Sequence, residues 1–290
     1  MLTALVSLLL FGAVPSFSSD VVVSALPGIE VLKIAAPAGF RRSFELPPRL
    51  SASGMILYDL QSGEELMAKN PDQRRPMASL TKIMTALLVL ENHRRLDDVL
   101  TVPPGADHIR GSTIGLKVGE RFTVLALLKA LLLPSANDAA YALAIREGGS
   151  VGAFVSSMNR RAATLGLKNT NFTNPAGLDS EQQYASVRDL GWLTMAALKH
   201  PGFREIVSTK TARISTGNGR EFDLRNTNEL LHENDHVFGV KTGTTNRAGE
   251  CLIVLFEEQT HPYLLILLGS KDRYTDSLYV LQTVHDVVSE

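Results

Sequence analysis

The sequence predicts an α+β fold: one antiparallel sheet built from both chain ends, flanked by helices, with a helical lobe inserted between them. Three observations carry that prediction. Strand-like runs occupy residues 54–69, and three more follow from residue 239 to 269, joined by short turns. The stretch between the two groups is dominated by helical patterns. A last helical pattern closes the chain from Asp272 to Val288.

Taken in order, Met55 to Leu60 reads as a strand, Gln61-Ser62-Gly63-Glu64 as a turn, and Glu65 to Ala68 as its hairpin partner. Pro76 precedes a helix over about 78–91 whose middle is apolar nearly all round, which predicts a buried helix. Residues 123–133 form another apolar helix, stopped by Pro134. A helix from Asn137 to Arg146 ends at Gly148-Gly149. Helices over 154–165 and 187–200 follow, the second with Ser186 as N-cap and Pro201 beyond its end. The three C-terminal strands are 239–244, 251–257 and 263–269. There are no internal repeats or low-complexity tracts.

The 290 residues are 44% hydrophobic and 20% charged, ample for a packed core. A formal net charge of -1 without long basic runs predicts no nucleic-acid footprint. The single cysteine, Cys251, lies in an apolar run and reads as a buried structural thiol. It excludes an internal disulfide and any C-x-x-C pair.

The organisation expected is a signal peptide or N-terminal anchor over 1–18, a linker over 19–44 and a single domain over 45–290. Leu2 to Val14 is nearly all apolar, and Ser16-Phe17-Ser18 offers a small-x-small cleavage pattern. A basic start is missing, since no Lys or Arg precedes Lys33. Cleavage and export are the favoured reading; retention as a membrane anchor is the alternative, and it is the only membrane association expected. Pro27, Pro37 and Pro47-Pro48 punctuate the tether.

Three short motifs carry the chemistry: Ser79-Leu80-Thr81-Lys82, Ser135-Ala136-Asn137 and Lys241-Thr242-Gly243. Their first residues are 56 and then 106 positions apart. Together they form the S-x-x-K, S-x-N, K-T-G set of serine acyl transfer. Three residues apart on a helix, Ser79 and Lys82 share one face. The helix start favours negative charge on Ser79. An apolar helix partly desolvates Lys82 and favours its neutral, proton-accepting form. A surface Ser and Lys would produce the same spacing, so this motif alone is weak. Ser135 or Asn137 could simply cap the next helix. Beside Ser79 and Lys82, the Ser135 hydroxyl can relay protons, and the Asn137 amide can orient Lys82 and hold a substrate carbonyl. Lys241, Thr242 and Gly243 sit on a strand that an extended peptide can pair with. Lys241 and Thr242 could hold a terminal carboxylate, and Gly243 permits close backbone approach. Backbone N–H groups of Ser79 and Thr244 are the expected oxyanion donors, each worth about 2.7–4 kcal/mol in the transition state. The reaction needs no metal or organic cofactor.

From residue 50 to 290 the chain resembles the low-molecular-weight penicillin-binding proteins, serine-type D-alanyl-D-alanine carboxypeptidases. The resemblance extends over Ala78–Thr85, Ser135–Ala140, Phe172–Leu178, Asn226–Leu231 and Lys241–Gly249. It implies the β-lactamase/penicillin-binding transpeptidase-like fold. It also implies peptidoglycan stem peptides as substrate, β-lactam antibiotics as ligands, and action in the periplasm or extracellular cell-wall space. By position it makes Ser79 the nucleophile and Lys82 the general base. Ser135 and Asn137 become the relay and positioning pair; Lys241 and Thr242, with Gly243 and Thr244 beside them, become the substrate site. Many relatives carry a His where this chain has Gln183. Many also carry a β-rich second domain and an amphipathic anchor, whereas this chain stops 47 residues after Gly243. That likens it to shorter members, some of them endopeptidases, so D,D-endopeptidase activity is the alternative.

Three rivals are weighed against this. His232-Glu233-Asn234-Asp235-His236 matches H-E-x-x-H, but a zinc site needs both imidazoles on one helical face. Asn-Asp at its centre predicts a turn instead. A β-lactamase of class A needs a glutamate followed three residues on by Leu-Asn, and Glu181 has no such sequel. A non-catalytic penicillin-binding sensor would lack catalytic side chains, and all are present.

Overall fold

The computed structural model describes residues 44–93 and 95–289. The expected leader over 1–18, and the 19–44 linker apart from Phe44, lie outside the described residues.

The N-terminal hairpin is β1 (Gly54–Asp59) and β2 (Glu65–Lys69). A 3-10 turn, Ala78–Thr81, leads into α1 (Lys82–Asn92), whose residues from Lys82 to Leu90 are all buried. A two-stranded ribbon, β3 (Val99–Thr101) and β4 (Arg121–Thr123), follows. Helices α2 (Val124–Leu132), α3 (Asn137–Gly148), α4 (Val151–Thr164), α5 (Val187–Leu198) and α6 (Pro201–Val207) complete the lobe. Next come the hairpin β5 (Thr211–Ser215) and β6 (Glu221–Arg225), then the short α7 (Glu229–Glu233). Strands β7 (Val237–Thr245), β8 (Gly249–Glu258) and β9 (His261–Ser270) precede the closing α8 (Arg273–Ser289). No helix among the described residues is long and apolar enough to cross a membrane.

Both chain ends build one antiparallel sheet in the order β2-β1-β9-β8-β7, as the sequence predicts. Met55 pairs with Leu267 and Leu57 with Leu265, so the first strand is held by the last. The central strands are apolar on both faces because each face meets its own core. Ile56, Ile253 and Ile266 pack against the helical lobe. Met55, Leu57, Leu252 and Leu265 pack on the other side against α7 and α8. On α8, Val280, Val284 and Val288 recur every fourth residue and supply that contact. Cys251 is fully buried on β8, and burial raises its thiol pKa to about 11.

Ser186 caps α5 as expected, accepting from the Asp189 N–H at 3.1 Å. Pro201 does more than follow that helix, because it opens α6. The β3–β4 ribbon, the β5–β6 hairpin, α6 and α7 have no counterpart in the sequence-based expectation. For the hairpin a signal existed: Gly217-Asn218-Gly219 stands between two alternating runs. Its outward positions are charged, so only Ile214 and Leu224 are fully buried on it.

Candidate active site

Ser79 sits within the 3-10 turn, and Lys82 is the first residue of α1. Ala78, beside the serine, is held at φ 48, a strained conformation for a residue with a β-carbon. The turn is braced from inside, with Thr81 Oγ1 donating to the Ala78 carbonyl at 2.9 Å. The Lys82 amine reaches back to Ser79 Oγ at 2.9 Å. It also contacts Asn137 Oδ1 at 2.7 Å and the Ala176 carbonyl at 2.8 Å.

These three partners bear on the state of Lys82. Asn137 Oδ1 and the Ala176 carbonyl can only accept. A neutral amine has two hydrogens for them and one lone pair left for the Ser79 hydroxyl. Burial makes that form favourable. Lys82 is wholly buried, not partly as expected, and its pKa is driven well below the ordinary lysine value, chiefly by desolvation and next by the Lys241 cation. Asp138 opposes this with its negative charge.

Asn137 does not cap α3, and neither does Ser135. Ala136 occupies the N-cap position, and no side chain makes a cap hydrogen bond there. Asn137 Nδ2 donates instead to the Arg110 carbonyl at 2.7 Å, which leaves Oδ1 for Lys82. Ser135 is held at φ 62, and its buried hydroxyl has no hydrogen-bond partner in the protein. Strain and an unpaired buried hydroxyl together mark a functional position.

Strand β7 closes the other side. A β-carbon added to Gly243 would lie 2.9 Å from the Ser79 nitrogen and 3.3 Å from the Met77 carbonyl oxygen. Glycine is therefore what lets β7 lie directly on the serine turn. Thr242 Oγ1 is 2.6 Å from Thr227 Oγ1. Lys241 is buried beneath the strand, donating to the Thr242 carbonyl at 3.0 Å. Burial and then the Arg273 cation lower its pKa to about 7.

The structure thus brings Ser79, Lys82 and Asn137 into hydrogen-bonded contact and sets Gly243 against them. Three partners escaped sequence reasoning. The Ala176 and Arg110 carbonyls are backbone groups and leave no side-chain signature. Arg273 donates from Nη1 to the Gly243 and Cys251 carbonyls at 3.1 Å each, and it contacts Thr244 Oγ1. It is distant in sequence, and nothing local marks it.

The H-E-x-x-H match breaks as its turn composition predicts. Helix α7 ends at Glu233, His232 Nε2 pairs with the Asn226 carbonyl at 3.0 Å, and His236 is exposed in the approach to β7. Glu181 is exposed and makes no contact with Ser79 or Lys82.

A family profile described as D-alanyl-D-alanine carboxypeptidase, peptidase S11, matches residues 42–272. The chain belongs to that family. It is 34% identical over 251 residues to the D-alanyl-D-alanine carboxypeptidase DacF of Bacillus subtilis, covering 84% of this chain and 64% of that protein's length. It is 33% identical to a D-alanyl-D-alanine endopeptidase of Pseudomonas aeruginosa, covering 79% of this chain and 75% of that one. The crystal structure of the Streptomyces K15 DD-transpeptidase matches with a TM-score of 0.76 at 33% identity, covering 81% of this chain and 97% of that one. The expected penicillin-binding, β-lactamase-like fold is therefore the fold of this S11 chain.

Proposed function

We propose that this S11 chain is an exported serine D,D-carboxypeptidase that trims the terminal D-Ala from peptidoglycan stem pentapeptides. The observation that carries the reading is the 2.9 Å contact between a buried Lys82 amine and Ser79 Oγ, with the amine's other two partners restricted to acceptors. Neutral Lys82 takes the Ser79 proton as the oxygen attacks the penultimate D-Ala carbonyl. The tetrahedral oxyanion is met by the Ser79 and Thr244 N–H groups. Ser135 passes a proton to the departing D-Ala nitrogen, the C–N bond breaks, and the acyl group stays on Ser79. Water, deprotonated through Lys82, then releases the shortened peptide. Asn137 holds Lys82 in line, while Lys241, Thr242 and Gly243 seat the end of the substrate along β7. β-Lactams acylate the same serine because they mimic the D-Ala-D-Ala terminus. Residues 1–18 direct export, 19–44 form a linker, and 45–290 make one catalytic domain in the cell-wall space.

Cleavage of cross-links is the second reading. It is favoured by the 33% and 30% identity to proteins named D-alanyl-D-alanine endopeptidase from Pseudomonas aeruginosa and Escherichia coli. Purified protein incubated with stem pentapeptides and with cross-linked muropeptide dimers separates the two by mass spectrometry, with Ser79→Ala as control. Loss of one D-Ala from the monomers is the expected result. Dimers split with pentapeptides intact would establish the endopeptidase. Products formed equally by Ser79→Ala would overturn both.

A further inference from the structure

We propose that Asp138 is a positioning residue that orients the Asn137 amide and, through it, Lys82. The inference rests on the reading of Ser79 and Lys82 given above. Asp138 is 1% exposed, and its charge is met by backbone rather than by a cation. Oδ2 accepts from the N–H groups of Ile114, Gly115 and Leu116 at 3.1, 2.9 and 3.0 Å. Oδ1 accepts from the Ala139 N–H at 2.9 Å. A carboxylate that gathers three successive N–H groups is a strong clamp on that segment.

The clamped segment is the one that grips Asn137. Just upstream, the Arg110 carbonyl accepts from Asn137 Nδ2 and the Ser112 carbonyl from the Asn137 N–H, both at 2.7 Å. Ser112 Oγ adds a bond to the Pro134 carbonyl at 3.0 Å. Gly111 lies between these contacts, and a β-carbon there would stand 2.8 Å from Asn137 Nδ2. A closed circuit results. Asp138 holds 114–116, which fixes 110–112, which turns the Asn137 amide so that Oδ1 faces Lys82. Neighbouring positions in one motif therefore divide the work: Asn137 touches the base, and Asp138 sets Asn137. Two charged groups act on Lys82, namely Lys241 from β7 and Asp138 from α3. Ser79, Asn137 and Ala176 face it as neutral dipoles.

The test is the second-order rate of acylation by a fluorescent penicillin, measured across pH beside thermal unfolding. It compares wild type, Asp138→Asn, Gly111→Ala and the double variant. Each single change should slow acylation by about tenfold to a hundredfold, the scale of a small misplacement at a reacting centre. The double variant should lose less than the product of the two, because both act through one amide. The acid limb of Asp138→Asn should lie at lower pH than that of wild type, since its missing negative charge no longer favours protonated Lys82. A purely structural anchor would lower the unfolding temperature and leave that limb in place. If Asp138→Asn does not fold, Gly111→Ala decides, because it leaves the carboxylate clamp intact. A wild-type rate in a folded Asp138→Asn or in Gly111→Ala would overturn the proposal, and so would multiplicative losses with an unmoved limb. Wild type that is never acylated would instead refute the reading of Ser79 itself.

Discussion

Gly177 lies directly against the carbonyl of Ala78, so closely that a β-carbon on residue 177 would fall 1.8 Å from that oxygen. The contact presses the 174–178 loop onto the serine turn. Asn174 shapes the loop by accepting from the N–H groups of Gly177 and Leu178 at 2.8 and 3.0 Å. The result delivers the Ala176 carbonyl to Lys82.

Gly177→Ala should therefore be among the most damaging small changes in the chain. Its φ of 87 alone costs an alanine about 1–2 kcal/mol, and the clash adds to that. We expect a lower unfolding temperature and slower penicillin acylation. Gly152→Ala is the control, since it meets nothing within 4 Å and should be neutral in both assays. Equal behaviour of the two variants would show that the loop yields without consequence.

Lys82→Met should remain folded, as judged by circular dichroism, but lose acylation by about 10²–10⁴-fold, the usual contribution of a general base. The nucleophile would keep its place without a proton acceptor. Retention of the wild-type rate would remove Lys82 from the chemistry.

Folding stability should rise with pH above neutrality. Lys241 titrates at about 7 when folded and at its ordinary 10.5 when unfolded. Between those values the unfolded chain binds the extra proton, so raising pH favours the folded form. The slope reaches at most about 1.4 kcal/mol per pH unit for one such group. Below pH 7 both forms are protonated and the penalty is constant. Denaturant unfolding from pH 7 to 10 should show a shallower slope in Lys241→Met than in wild type. Identical slopes would mean that this amine is not desolvated.

Gln183 ties two parts of the site together. Nε2 donates to Thr81 Oγ1 at 2.9 Å, and Oε1 accepts from the Thr173 N–H at 2.6 Å and its hydroxyl at 2.9 Å. Gln183→Leu leaves the Thr173 N–H without that acceptor and should cost about 1–3 kcal/mol. Gln183→His should restore part of this at pH 8, with one ring nitrogen accepting. As pH falls past about 6.5 the ring becomes a donor on both sides and opposes the Thr173 N–H. Stability of the His variant should therefore drop on acidification relative to wild type, and parallel pH curves would disprove the bridging role.

Much of this protein is legible in its sequence. Continuous apolar runs such as Leu252 to Leu255 and Leu264 to Leu268 announce strands buried on two faces, and the sheet is built from both ends as expected. The all-round apolar face of 83–90 announces a buried α1. The spacing of Ser79 and Lys82 places them on one face because three residues make nearly a full helical turn. What those local patterns could not supply is depth and company. Ser135 and Asn137 looked able to cap a helix, but the approach of residues 110–112 gave the Asn137 amide a different partner. Lys82 met its third acceptor, the Ala176 carbonyl, only because a loop 94 residues away folds onto the serine turn. Sequence by itself determined the identities and local spacing of the chemical groups, since helix and strand periods are short-range properties of the backbone. The protonation of Lys82 and Lys241, the orientation of Asn137 and the placement of Arg273 were decided by tertiary structure, since burial and charge proximity arise only when distant segments pack.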